Sequence, residues 1–165
     1  MSMIANYHLI TDDELKYIKD KTDVYEFFAE KQIEDSPMYC CVYKLWHALE
    51  YLMTESSTGE NVPPYSGITL GGEVFGDDFG YGQPRYYPKW DTKGINKGLQ
   101  KLDRAWFDKQ FLKLYKTFNE KEIYPGNWSD NPLDEKEGLW EFFNHLQKFW
   151  DKCDKEKLNM IAYYD

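Results

Sequence analysis

Residues 158–164 read LNMIAYY. This run is short, apolar and without helical period, and it follows a long helical pattern, so it reads as a terminal strand. Met1 to Ile10 at the other end has the same character. Two terminal strands with helical patterns between them predict that the chain ends pair inside one small sheet. The expected class is α+β: a small mixed sheet holding the N- and C-terminal strands, packed with about five to six helices. At 165 residues, a single domain over 1–165 is the expected organisation. No repeat, low-complexity tract or linker divides it.

Between these ends the pattern is mostly helical. Thr11 and Glu14 fit a capping box for a helix reaching about Asp20, and a second begins near Asp23. A helix is expected from Met38 to Thr54, since Val42, Leu45, Trp46, Leu49, Leu52 and Met53 fall on one stripe. Glu55 to Pro64 reads as loop and Ile68 to Phe75 as strand. Gly76 to Pro88 reads as irregular. Asp91 or Thr92 caps a helix to about Leu102, and Asp103 caps the next. The longest helix is expected over 132–155, with Leu139, Phe142, Phe143, Leu146, Phe149 and Trp150 as its buried stripe.

Six Trp, fourteen Tyr and ten Phe supply enough large apolar surface for a packed core, so disorder is excluded for most of the chain. The net charge of −9 and the lack of a basic run argue against nucleic acid and against a membrane surface. They favour a basic protein partner or a cationic ligand. No apolar run approaches the roughly 20 residues needed to cross a bilayer. Polar Asn6 and His8 interrupt the first apolar stretch, which has no basic start, so no signal peptide is expected. Cys40, Cys41 and Cys153 show no framework spacing and read as thiols in a reducing cytoplasm.

No motif assigns a reaction. His8, His47 and His145 lie far apart, no Cys-x-x-Cys occurs, and neither a metal nor another cofactor is expected. The segment Gly71-Gly72-Glu73-Val74-Phe75-Gly76 is followed by Asp77-Asp78 rather than Lys-Ser/Thr, and those carboxylates repel phosphate. The strongest candidate site is still this glycine-rich segment. Glu73, Asp77 and Asp78 near Arg85 supply acid/base groups and an anion clamp, with Tyr81 and Tyr86 as walls. The other reading has Asp77-Asp78 capping a turn. Trp128, in the turn Ile123-Tyr124-Pro125-Gly126-Asn127-Trp128, is either an exposed anchor or a buried lid on the last helix.

Several of these stretches together resemble the YfbM-like family, a bacterial family of unknown function. They are the Met1-Ser2-Met3-Ile4 opening, Lys44 to Thr54 around Trp46, Leu70-Gly71-Gly72 and Tyr81 to Tyr86. Leu102-Asp103-Arg104 with Glu122-Ile123-Tyr124-Pro125 and Trp128 is the most specific part. The resemblance spans nearly the whole chain. It implies an α+β fold and a bacterial, cytoplasmic setting, and it implies no reaction. Many members carry a His before the aromatic of the Trp helix. Glu50 stands there in this chain, and His47 sits one turn earlier, so both join the candidate residues. The expectation is a non-enzymatic binding or interaction domain, with an immunity-like protein as one version. The alternative is a small-molecule-binding protein or enzyme using Glu73 to Arg85. A homo-oligomeric subunit is a third class.

Overall fold

The computed structural model describes residues 3–19, 24–32, 36–58, 64, 65, 68 and 71–165. Its elements are β1 (Ala5–Ile10), α1 (Asp12–Lys19), α2 (Val24–Ala29), β2 (Tyr39–Tyr43), α3 (Trp46–Thr54), β3 (Glu73–Val74), β4 (Arg85–Tyr87), α4 (Thr92–Leu99), α5 (Arg104–Leu114), α6 (Pro132–Glu156) and β5 (Asn159–Tyr164). A 3₁₀ turn at Tyr115–Thr117 extends α5.

The strands form one five-stranded sheet in the order β2-β1-β5-β4-β3. The chain-end strands do pair, from Ala5↔Tyr164 to Ile10↔Asn159. Every pairing is antiparallel, which corrects the expected mixed sheet. No two neighbouring strands run the same way, so no pair requires a parallel crossover.

Helices cover both faces of the sheet. Alternation along each strand sorts the side chains. Ala5, Tyr7, Leu9, Met160, Ala162 and Tyr87 join the larger core with α3, α4, α5 and α6. Ile10, Ile161, Tyr163 and Tyr86 turn the other way, to Leu15 and Ile18 of α1 and Val24 and Phe28 of α2. Each large side chain buried this way contributes about 1.5–3 kcal/mol.

Local signals set most boundaries. The Thr11–Glu14 box is formed: Thr11 N donates to Glu14 Oε2 at 2.9 Å, and Glu14 N to Thr11 Oγ1 at 3.2 Å. Asp103 accepts from Trp106 N at 2.8 Å to open α5. Asn131 caps α6, with Pro132 in its first turn. The expected ends at Asp20 and Asp23, and positions 69 and 70 of the expected strand, fall outside the described residues.

Three expectations are corrected. Residues 38–54 are not one helix: Tyr39–Tyr43 is a strand, and the helix starts at Trp46. Tyr-Cys-Cys-Val-Tyr is β-favouring, and pairing with β1 outweighs the helical stripe counted through it. Within the expected strand 68–75, the residues with strand structure are Glu73 and Val74. The stretch taken as irregular contains β4, which bridges β5 to β3.

Gly72 shows what the glycine pair does. Its φ is +79°, and a Cβ there would lie 2.7 Å from the Tyr86 carbonyl oxygen and 3.1 Å from Tyr87 Cε2. The chain passes directly over β4, and only glycine fits. Gly72→Ala is expected to destabilise the fold by about 2 kcal/mol or more in urea denaturation. Gly94→Ala is the contrast, in α4 with no atom within 4 Å of the new Cβ. It should be neutral or stabilise by about 0.5–1 kcal/mol.

Candidate functional site

The glycine-rich segment forms the β3–β4 hairpin, with Glu73 opposite Tyr86 and Val74 opposite Arg85. Glu73, Asp77 and Asp78 are exposed, and Tyr81 and Arg85 are half-buried. Asp78 Oδ1 accepts from Gly80 N at 2.6 Å and Gly82 N at 3.0 Å, which holds the turn. Gln83 Nε2 reaches back to the Gly76 carbonyl at 3.0 Å. Among the described residues no ion pair joins Arg85 to these carboxylates. Tyr86 points into the smaller core, and its hydroxyl donates to Asn159 Oδ1 at 3.1 Å.

Helix α3 carries the other two candidates. Its sheet-facing side places Glu50 in the larger core at 1 % exposure. Burial pushes its carboxyl up to about 7. Tyr7 and Tyr87 lie within reach of its charge. Burial raises both hydroxyls first, and Glu50 adds to each. His47, one turn earlier, is a tie between loops. Its Nδ1 accepts from Tyr124 N at 3.0 Å, so Nε2 carries the proton toward the Ser57 carbonyl at 3.0 Å. Burial lowers its pKa, and the Ser57 bond works the other way.

Trp128 is buried at 6 % exposure. Its Nε1 donates to the Ile123 carbonyl at 2.7 Å, and its ring meets Phe118 and Tyr115. These ring contacts place it against the 3₁₀ turn and Phe118 just after it. One edge borders a groove of about 600 Å³ shared with Asn119, Glu122 and Tyr124.

A larger groove, about 940 Å³, follows the edge strand β2. Its first wall is a chain of hydrogen bonds. Tyr39 OH donates to Asn6 Oδ1 at 2.7 Å, and Asn6 Nδ2 donates to Asp165 Oδ1 at 3.0 Å. Gln32 Nε2 donates to Asp165 Oδ2 at 2.9 Å and to the Tyr163 oxygen at 2.8 Å. That leaves the Tyr163 proton for His8 Nε2, 3.3 Å away. Burial, helped by Lys31, holds His8 down at about 3, so the ring is neutral. Around the edge strand, on the other face of the sheet, the groove continues along α6 through Glu141, Phe142, His145, Lys148, Phe149 and Lys152. Cys41 and Cys40 both line the groove, and Cys40, packed into the larger core, has its thiol pushed up to about 12 by burial.

No motif in the sequence announces this wall. Its one signal was the pair of polar residues, Asn6 and His8, alternating inside an apolar strand. That pattern interrupts a leader-like run, and it also marks one polar-lined strand face.

The family model for a domain of unknown function, DUF1877, matches residues 1–163. The chain belongs to the DUF1877 family. A crystal structure of a protein of unknown function, YfbM from Escherichia coli, has a similar fold. Its TM-score is 0.70 at 16% identity, covering 99% of this chain and 100% of that one. No curated protein matches the chain. The DUF1877 fold therefore carries the sheet and helices described above. No helix among the described residues is long and apolar enough to cross a membrane.

Glu50 generates a pH test. Its folded pKa, about 7, lies above its ordinary 4.5, so the folded chain holds a proton that the unfolded chain has released. Its contribution is fully present below about pH 4.5 and is lost as pH rises through about 7. A shift of this size corresponds to about 3 kcal/mol. Glu50→Gln should therefore gain stability over wild type from about pH 5 to about pH 8 in urea titrations. Taking the difference removes the opposite contribution of His8, which both proteins share.

Proposed function

We propose that this DUF1877 chain is a non-enzymatic binding domain that receives a segment of a protein partner in the groove along the edge strand β2. The observation that carries the reading is the pre-ordered wall. Asn6, Gln32 and Asp165 already hold one another, so little side-chain entropy is lost when a ligand settles against them. Tyr39, Tyr43, Phe142 and Phe149 add flat apolar contact area.

On the first wall the titratable chemistry favours binding over catalysis, while Cys41 and His145 line the groove as well. His8 is the histidine attached to this wall, and its buried neutral ring does not exchange protons near neutral pH. The net charge of −9 speeds the approach of a basic partner, as an immunity-like role requires. Glu73, Asp77 and Arg85 lie toward the opposite edge of the sheet. An enzyme or small-molecule site there is the alternative, without a described groove beside it.

Selection of random dodecapeptides on phage, against wild type and against Tyr43→Asp, tests the reading. Tyr43 has φ +47°, a conformation Asp tolerates, so the substitution removes groove surface without opposing the backbone. Wild type should enrich peptides that bind Tyr43→Asp at least about tenfold more weakly, with both proteins showing the same urea midpoint. A failed enrichment, or peptides that bind both proteins alike, would remove the groove as the binding site.

A further inference from the structure

The hydrogen-bonded wall of the groove sits on the sheet face that α2 also covers, where Tyr163 meets Phe28. Its internal bonds decide what it can offer a ligand. Asn6 Nδ2 carries two hydrogens, spent on the Ile4 carbonyl at 3.2 Å and on Asp165 Oδ1 at 3.0 Å. Gln32 Nε2 spends its two on Asp165 Oδ2 and on the Tyr163 oxygen. The Tyr39 proton goes to Asn6 Oδ1, and the Tyr163 proton to His8 Nε2. Neither amide can be turned over, because its carbonyl would then face the Asp165 carboxylate.

Every side-chain N–H and O–H of Asn6, Gln32, Tyr39 and Tyr163 is therefore committed inside the wall. The capacity left over is acceptor capacity. A carboxylate has about four lone-pair sites, and Asp165 uses one on each oxygen for these amides. Gln32 Oε1 takes no hydrogen bond among the described residues. Asp165 also keeps its charge. Its two donors are neutral, no ion pair reaches it among the described residues, and Lys31, the cation that acts on His8, is held by Glu14. Asp165 is half-buried and Gln32 exposed, and both line the groove. The network is thus ordered, negative and without a free donor.

We propose that this network is the seat for an arginine side chain of the bound protein segment. This rests on the groove being the binding site. A guanidinium has five N–H donors and no acceptor, which complements a surface of acceptors. Its planar fork delivers two parallel hydrogen bonds, one to each carboxylate oxygen, and Asp165 holds a lone pair in reserve on each. A lysine ammonium is a point charge without that fork. An acidic side chain would meet a carboxylate and no free donor in this network. Asn6 and Gln32 fix the carboxylate before the ligand arrives, so the arginine is the main group left to order. The net charge of −9 favours the same choice at long range.

The probes are the dodecapeptides that wild type enriches on phage and Tyr43→Asp does not. Fluorescence anisotropy compares each with copies carrying citrulline or lysine in place of one arginine. The proteins are wild type, Asp165→Asn and Asp165→Ala, the last keeping the comparison if the second does not fold. Citrulline retains the length and planar head of arginine and removes its charge. One arginine per peptide should lose at least about tenfold in affinity for wild type when made citrulline, with lysine in between. The same replacement should cost less than about twofold on the Asp165 variants. Selected peptides without arginine, or an arginine whose replacement costs as much on the variants as on wild type, would overturn the arginine seat and leave the groove reading standing. If no peptide binds in a Tyr43-dependent way, both fall.

Discussion

The pairing of β1 with β5 is the constraint on which the rest depends. Those two strands form the middle of the sheet, and each presents one face to α3–α6 and the other to α1 and α2. All six residues of β1 are buried, which is possible only because both faces are covered. The two cores share this floor. The same register places Asp165 beside Asn6 and brings Tyr163 to His8, so the groove wall is a by-product of the central pairing rather than a separate construction.

Much of this was legible in the residues. The terminal strands, the Thr11–Glu14 box, the Asp103 cap and the long α6 stripe each rest on short-range rules that tertiary contacts did not overturn. The failures came where long-range pairing decided the outcome. Tyr39 to Tyr43 carries apolar residues compatible with either period, and β1 recruits it as an edge strand. Arg85 to Tyr87 is too short to announce itself, and it becomes a strand because β5 offers a free side.

The candidate site was less legible for the same reason. Glu73, Asp77 and Asp78 attracted notice because they cluster in sequence, yet the turn uses Asp78 internally and the others face solvent. Asn6, Gln32, Tyr39 and Asp165 are scattered along the chain and meet only through strand register and the exit of α2. Glu50 was singled out through a family pattern. Its burial in an apolar core beside Tyr7 and Tyr87 is a property no local rule contains.

The partners in the central pairing are about 150 residues apart in sequence, so the chain carries a high contact order at its most important joint. During synthesis β1 emerges well before β5, the strand it pairs with. In that interval a strand destined for full burial has no central neighbour, and α1 and α2 have only half a floor. Until β5 is made, the nascent chain therefore carries an open, apolar strand edge, a liability of late-pairing central strands.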